Sequence, residues 1–179
     1  AGQFIKPENP VEIGKSYLVR ELLERMIVES DNNAALLLST FVGEEKFKSI
    51  FIDLGFDLRE TAAGAGNMSV RNYAAFFRIL FNASYISQPA SEAALTLLTQ
   101  TRFRDGIVAG VPSDVRVAHK FGERQFENEK QLHDCGIVYA GKSPYLLCIM
   151  TRGSDFSTLA KIIADLSRTT YEQVASQTK

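Results

Sequence analysis

Up to about Arg102, apolar residues recur along this chain at helical spacing; beyond it they alternate with polar ones or gather in short runs. Between Tyr17 and Glu29, Leu18, Leu22, Leu23, Met26 and Ile27 fall on one helical face with charges between them, which predicts an amphipathic helix. A second helix is expected from Asn32 or Asn33, either of which can cap it, through Ala34–Phe41 to a stop at Gly43. Glu44–Leu54 has the pattern of a third, closed by Gly55. The stretch Asp57–Asn67 is small and polar with two glycines, and reads as a loop. Ser69 is placed to cap a fourth helix carrying Tyr73, Phe76, Phe77, Leu80 and Phe81. A fifth is expected from about Ser91 to Thr101, with Ser87 and Pro89 at its start.

After Arg102 the period changes. Phe103–Asp114 carries Gly106, Gly110 and Pro112 and has loop chemistry. Val115–Gly122, Leu132–Tyr139 and Tyr145–Thr151 read as three antiparallel strands, the last two joined by the turn Ala140–Pro144. Ser154 or Asp155 can cap a terminal helix whose apolar face holds Phe156, Leu159, Ile162, Ile163 and Leu166. The expected fold is α+β in one domain: a helical part over about 15–102, then an antiparallel sheet flanked by a C-terminal helix over about 115–175. Three strands and one helix leave a sheet edge uncovered, and such an edge invites pairing. The sheet is therefore expected to be incomplete. Its partner would be a missing N-terminal segment of a longer parent or another copy of the chain.

Composition narrows the classes. A hydrophobic fraction of 45% and a charged fraction of 23% are globular values, which excludes disorder. Twenty Lys+Arg nearly cancel 21 Asp+Glu, so charge gives no support to nucleic-acid or membrane-surface binding. No apolar stretch approaches a membrane span, and the first ten residues lack the features of a signal peptide. Cys135 and Cys148 lack metal-ligand spacing and fall on two strands of one hairpin; free buried thiols are the expected state. His119 and His133 sit at strand ends without an acidic or Cys partner at ligand spacing, so no metal is expected; His119, beside Lys120, either lines the cleft or, the preferred reading, is an edge residue. Arg152, after the last strand, either reaches an anionic substrate or is solvated.

Two tripeptides carry the chemistry. Ser30-Asp31-Asn32 stands at a junction of helices, where such residues cluster for capping alone. Lys120-Phe121-Gly122 ends a strand, where a lysine is ordinarily a solvated charge. Together, 120 − 30 = 90 residues apart, one ending a helix and the other a strand before a hairpin and terminal helix, they are a different signal. The chain resembles the C-terminal two-thirds of the penicillin-binding-protein and class A β-lactamase family, whose motif set is S-x-x-K, S-D-N and K-T-G. GIVAGVPSDVRVAHKFGE and HDCGIVYAGKSPYLLCIMTRG extend the likeness to the strands.

The resemblance implies a serine acyl hydrolase without cofactor or metal, periplasmic or extracellular, acting on a β-lactam or a peptidoglycan-type peptide. Ser30 would relay a proton to the leaving nitrogen, and Lys120 would polarise Ser30 and attract the substrate carboxylate. Asn32 would bind the substrate's amide side chain and help orient the catalytic lysine of S-x-x-K. The Glu123 backbone N–H would form half of an oxyanion hole, and Gly122 would let the substrate lie along the strand.

Three departures qualify it. S-x-x-K is missing ahead of Ser30; the single match, Ser176–Lys179, is a frayed tail that cannot hold a nucleophile. The chain is thus expected to be an N-terminally truncated domain, inactive by itself. Phe121 replaces the usual Thr, and Glu123 adds negative charge where the substrate carboxylate would bind. The short loop Asp57–Asn67 lacks a Glu with a downstream Asn to activate the deacylating water, and Glu60 reads as an exposed loop charge. Weak deacylation is expected, as in a peptidase-like or penicillin-binding relative. The alternative is a catalytically inert relative binding a cell-wall peptide or a protein partner. An unrelated mixed α/β domain would place Ser30 and Lys120 far apart.

Overall fold

The computed structural model describes residues 3–56, 68–141 and 143–177. Helices α1 (Val19–Val28), α2 (Asn32–Val42), α3 (Glu44–Asp53), α4 (Val70–Phe81) and α5 (Gln88–Thr99) precede a 3-10 turn at Ile107–Gly110. Strands β1 (Val117–Gln125), β2 (Lys130–Val138) and β3 (Tyr145–Gly153) follow, then α6 (Phe156–Gln177). The strands form one antiparallel sheet in the order β1-β2-β3. This is the expected α+β architecture. No helix among the described residues is long and apolar enough to cross a membrane.

Alternation of side chains gives the sheet two faces, and both are covered. On one, Val117, Phe121, Leu132 and Val138 pack with Ile107, Phe156, Leu159 and Ile163, so α6 and the 3-10 turn close that side. On the other, Ala118, Cys135 and Ile137 meet Phe77 of α4 and Leu95 and Leu98 of α5. A smaller cluster, Leu22, Ala34 and Leu38, joins α1 to α2.

The elements match the sequence pattern, with differences at their ends. Asp31, rather than Asn32 or Asn33, caps α2. Its Oδ1 accepts the N–H groups of Asn33 and Ala34 at 2.7 and 3.3 Å, and its Oδ2 accepts that of Val11 at 2.6 Å. A carboxylate suits a helix N-terminus, where unpaired N–H groups carry partial positive charge. β1 continues past Gly122 to Gln125, because Gly122 stays paired with His133. Inside the stretch expected to be loop, Ile107–Gly110 makes its 3-10 turn.

The cysteines correct an expectation. Cys135 and Cys148 are direct partners across β2 and β3 and are joined by a disulfide; neither is a free thiol. Sequence places both on strands of one hairpin, where they could lie near each other, and it is the register that brings their Cα atoms to 4.0 Å.

Candidate active site

Ser30 lies between α1 and α2 with φ of 56°, one of two non-glycine residues in the left-handed region among those described. A side-chain-bearing residue pays about 1–2 kcal/mol for that conformation. The turn persists because its neighbours hold it: Asp31 N–H bonds back to Arg25 at 3.1 Å, and the buried Asp31 carboxylate anchors three backbone groups. Gln3 Nε2 adds a bond of 2.9 Å to the Ser30 carbonyl. The reversal turns the Ser30 hydroxyl toward the sheet, where Lys120 Nζ donates to it at 2.5 Å.

Lys120 is half-buried on β1. Loss of water around its ammonium lowers its pKa to about 8, opposed by the negative charges of Asp134 and Glu123. Nζ also donates to the Phe121 carbonyl at 3.1 Å and lies over the Phe121 ring. The Lys120 carbonyl is held by the Tyr73 hydroxyl of α4 at 2.6 Å. Burial keeps that phenol above the ordinary tyrosine range, so it remains a donor.

Behind Lys120 stands a pair that the sequence reading missed. His119 Nδ1 and Asp134 Oδ1 are 2.9 Å apart and both residues are fully buried, so His119 is not an edge residue and does have an acidic partner. Asp134 Oδ2 accepts the Ile107 N–H at 2.9 Å, and Thr101 donates its hydroxyl to the His119 carbonyl at 2.8 Å. The available signal was alternation: His119 shares a face with Val117 and Phe121, which belong to the core. Gly136 stands opposite His119, and a Cβ there would come within 2.5 Å of the His119 Cβ. Glycine at this point is what lets β2 lie this close to β1 at Ala118 and His119.

Of the remaining candidates, Gly122 and Glu123 follow Lys120 on β1 and Asn32 lies on α2. Gly122 has no heavy atom within 4 Å of where a Cβ would stand. Glu123 is half-buried, its Oε1 accepting the N–H groups of Phe4 and Ile5 at 2.7 and 2.9 Å. Phe4 in turn stacks on Phe156 at 4.6 Å. Asn32 opens α2 and is exposed. Phe121, in the place of the usual hydroxyl residue, is buried against Phe103 at 4.6 Å. The structure thus joins Ser30 directly to Lys120 and sets Gly122 and Glu123 two and three residues further along β1. The loop 57–67 with Glu60, and Lys179 of the C-terminal S-x-x-K, lie outside the described residues. Among the described residues no three of His, Cys, Asp and Glu gather to hold a metal ion. A hydroxyl bonded to a lysine of lowered pKa can pass a proton on, with a positive charge beside it.

A profile of the Beta-lactamase enzyme family matches residues 9–174. Among solved structures, PBP-A superposes with a TM-score of 0.76 at 19% identity, covering 93% of this chain and 64% of its own. A PBP-A mutant solved as an acyl-enzyme complex with penicillin G gives 0.77 at 19%, covering 93% and 65%. The β-lactamase from Sphaerobacter thermophilus DSM 20745 gives 0.73 at 20%, covering 91% and 65%. At these identities the likeness is one of fold. The chain spans a little under two thirds of the length of each of these structures. A search of curated proteins finds no match.

Proposed function

Because this chain belongs to the Beta-lactamase enzyme family, we propose that it forms the proton-relay and anion-binding wall of a serine acyl-transfer site. The observation that carries this reading is the 2.5 Å bond from Lys120 to Ser30, made across 90 residues of sequence. In the proposed step a serine Oγ attacks the carbonyl carbon of a β-lactam or a peptidoglycan-type peptide. The C–N bond breaks, and the leaving nitrogen takes a proton through Ser30. Water then hydrolyses the acyl-enzyme, slowly. Lys120 attracts the substrate carboxylate, Asn32 binds the substrate amide, and the Glu123 N–H stabilises the oxyanion. The open space over Gly122 leaves room for a substrate laid along β1.

The nucleophile of S-x-x-K would come from residues outside these 179, with 1–179 as the N-terminally truncated part of a single domain. The edge of β3, unpaired among the described residues, would receive that missing part or a second copy. A periplasmic or extracellular location fits the Cys135–Cys148 disulfide, since such bonds persist in oxidising compartments.

The test is labelling of the full-length protein by a fluorescent penicillin. A stoichiometric adduct is expected. Ser30→Ala and Lys120→Ala should each slow its formation by about 10²–10⁴-fold with the circular dichroism spectrum unchanged. The 179 residues alone should form no adduct; one formed on them would overturn the placement of the nucleophile.

A second reading, an inert relative that binds a cell-wall peptide or protein, is favoured by one observation. Phe121 is buried and offers no hydroxyl to a substrate carboxylate, while Glu123 brings a negative charge to that place. Absence of S-x-x-K upstream in the full gene, together with no labelling, would select it.

A further inference from the structure

Side-chain alternation and strand register place three successive rungs on the sheet face that carries Lys120. They are Lys120–Cys135–Cys148, Gly122–His133–Met150 and Arg124–Gln131–Arg152. Over the last two rungs opens a cavity of about 530 Å³, bounded on the helical side by Met68 and Tyr73. Among the described residues its cationic groups are Arg124 and Arg152, with the His133 imidazole on β2 beside them.

Direction along β1 says which part of a substrate would meet this cavity. In the reading above, the carboxylate lies at Lys120 and the reacting carbonyl at Glu123. The acyl group on the far side of that carbonyl therefore continues toward Arg124, roughly 13 Å from Lys120 at strand spacing. We propose that the cavity is a subsite for a negatively charged acyl group, with Arg124 and Arg152 as the residues that determine this specificity. The inference rests on the proposed acyl-transfer function and names the substrate class within it.

The local charges support the assignment. Arg152 is 70% exposed and its Nε faces Glu129 at 3.2 Å. A guanidinium carries five N–H donors, so this contact leaves it able to hold a second carboxylate. Among the described residues the one acid lining the cavity is Glu123; its Oε1 is held by the Phe4 and Ile5 N–H groups, while its Oε2 is buried without a partner among them. His133 Nδ1 is likewise buried and unpartnered. Burial first, then the charges of Arg124 and Arg152, hold the His133 imidazole below its ordinary range, against one backbone contact that raises it. Arg124 and Arg152 flank Gln131 on one rung, so both border the same part of the cavity.

The test compares two penicillins on the full-length protein, glutaryl- and pentanoyl-6-aminopenicillanic acid. Their acyl chains have the same length and end in a carboxylate or a methyl group. Acylation by the glutaryl compound should be about fivefold faster, the scale of a partly exposed charge pair, and the preference should shrink with added salt. In the Arg124→Ala/Arg152→Ala double variant the preference should vanish while the pentanoyl rate is retained. Equal rates in the unaltered protein, or a preference that survives the double variant, would overturn the subsite.

If neither compound acylates, the acyl-transfer reading fails, and free glutarate then decides the subsite. Binding should shift the His133 ring signals in NMR and leave those of buried His119 in place, with no shift in the double variant. Absence of that shift in the unaltered protein would overturn the subsite as well.

Discussion

The sheet with α6 and the helices α1–α3 are built to different standards. β1 and β2 bury side chains on both faces, β3 adds partly buried ones, and the α6 side closes over Leu132, Val138 and Ile163. By contrast α1 buries Leu22, α2 buries Ala34 and Leu38, and α3 buries nothing. Leu36, Phe41, Phe47 and Ile52 are exposed, Phe41 to 77%. Apolar residues grouped on neighbouring helices in this way are uncommon on a finished surface. The site spans the two regions, Lys120 on the tight one and Ser30 on the loose one. Its geometry therefore depends on what ties α1 to the sheet. Besides the Lys120–Ser30 bond, Ile27 packs against the cluster that holds Ala118, Cys135 and Ile137, and Arg102, in the segment after α5, reaches the Val28 carbonyl with its N–H at 3.1 Å and pairs its Nε with Glu29 at 2.8 Å.

The contrast breaks if core deletions cost the same in both regions. Ile163→Ala should destabilise the protein by about 2–5 kcal/mol in urea unfolding, since Ile163 is fully buried. Replacing Cys135 and Cys148 together by serine should cost about 2–4 kcal/mol in the same measurement.

Lys120→Met sharpens the comparison at the junction. The Lys120 pKa is lowered in the folded protein, from 10.5 to about 8. Below about pH 8 both folded and unfolded chains hold the proton, and the burial of the charge costs stability in full. As pH rises from 8 to 10.5 that cost disappears, because the unfolded chain loses its proton too. The variant should gain about 1 kcal/mol at pH 7, allowing for partial solvent screening, and the gain should fade by pH 10.5. A gain that grows with pH would refute the assigned direction. The smallest effect belongs to the loose region: Phe41→Ser should change stability by less than about 0.5 kcal/mol.

The sequence carried the fold well because periodicity is local. The helical spacing of Leu18, Leu22 and Met26 and the alternation around Lys120 needed no tertiary information. The Ser30–Lys120 contact was legible because two short motifs kept their order and setting. What stayed hidden depended on register. Whether Cys135 faces Cys148, and whether His119 meets Asp134, is decided by a one-residue choice of pairing that composition does not encode. Tyr73 was hidden for a related reason: among Phe76, Phe77 and Phe81 it reads as one more core aromatic, and only the packing of α4 on β1 shows its hydroxyl reaching the Lys120 carbonyl.

The disulfide described in the sheet has a consequence of another kind. A strand that slips by one residue shows its opposite set of side chains to each face. Because Cys135 and Cys148 are exact cross-strand partners, their bond makes the phase between β2 and β3 a matter of covalent connectivity. The His133–Met150 and Gln131–Arg152 rungs lie two and four residues away on the same face. Their alignment is inherited from that one bond. Substitutions that loosen the Ala140–Pro144 turn can lower stability without sliding these rungs past one another, so the cavity floor is insulated from drift in the loop that closes its hairpin.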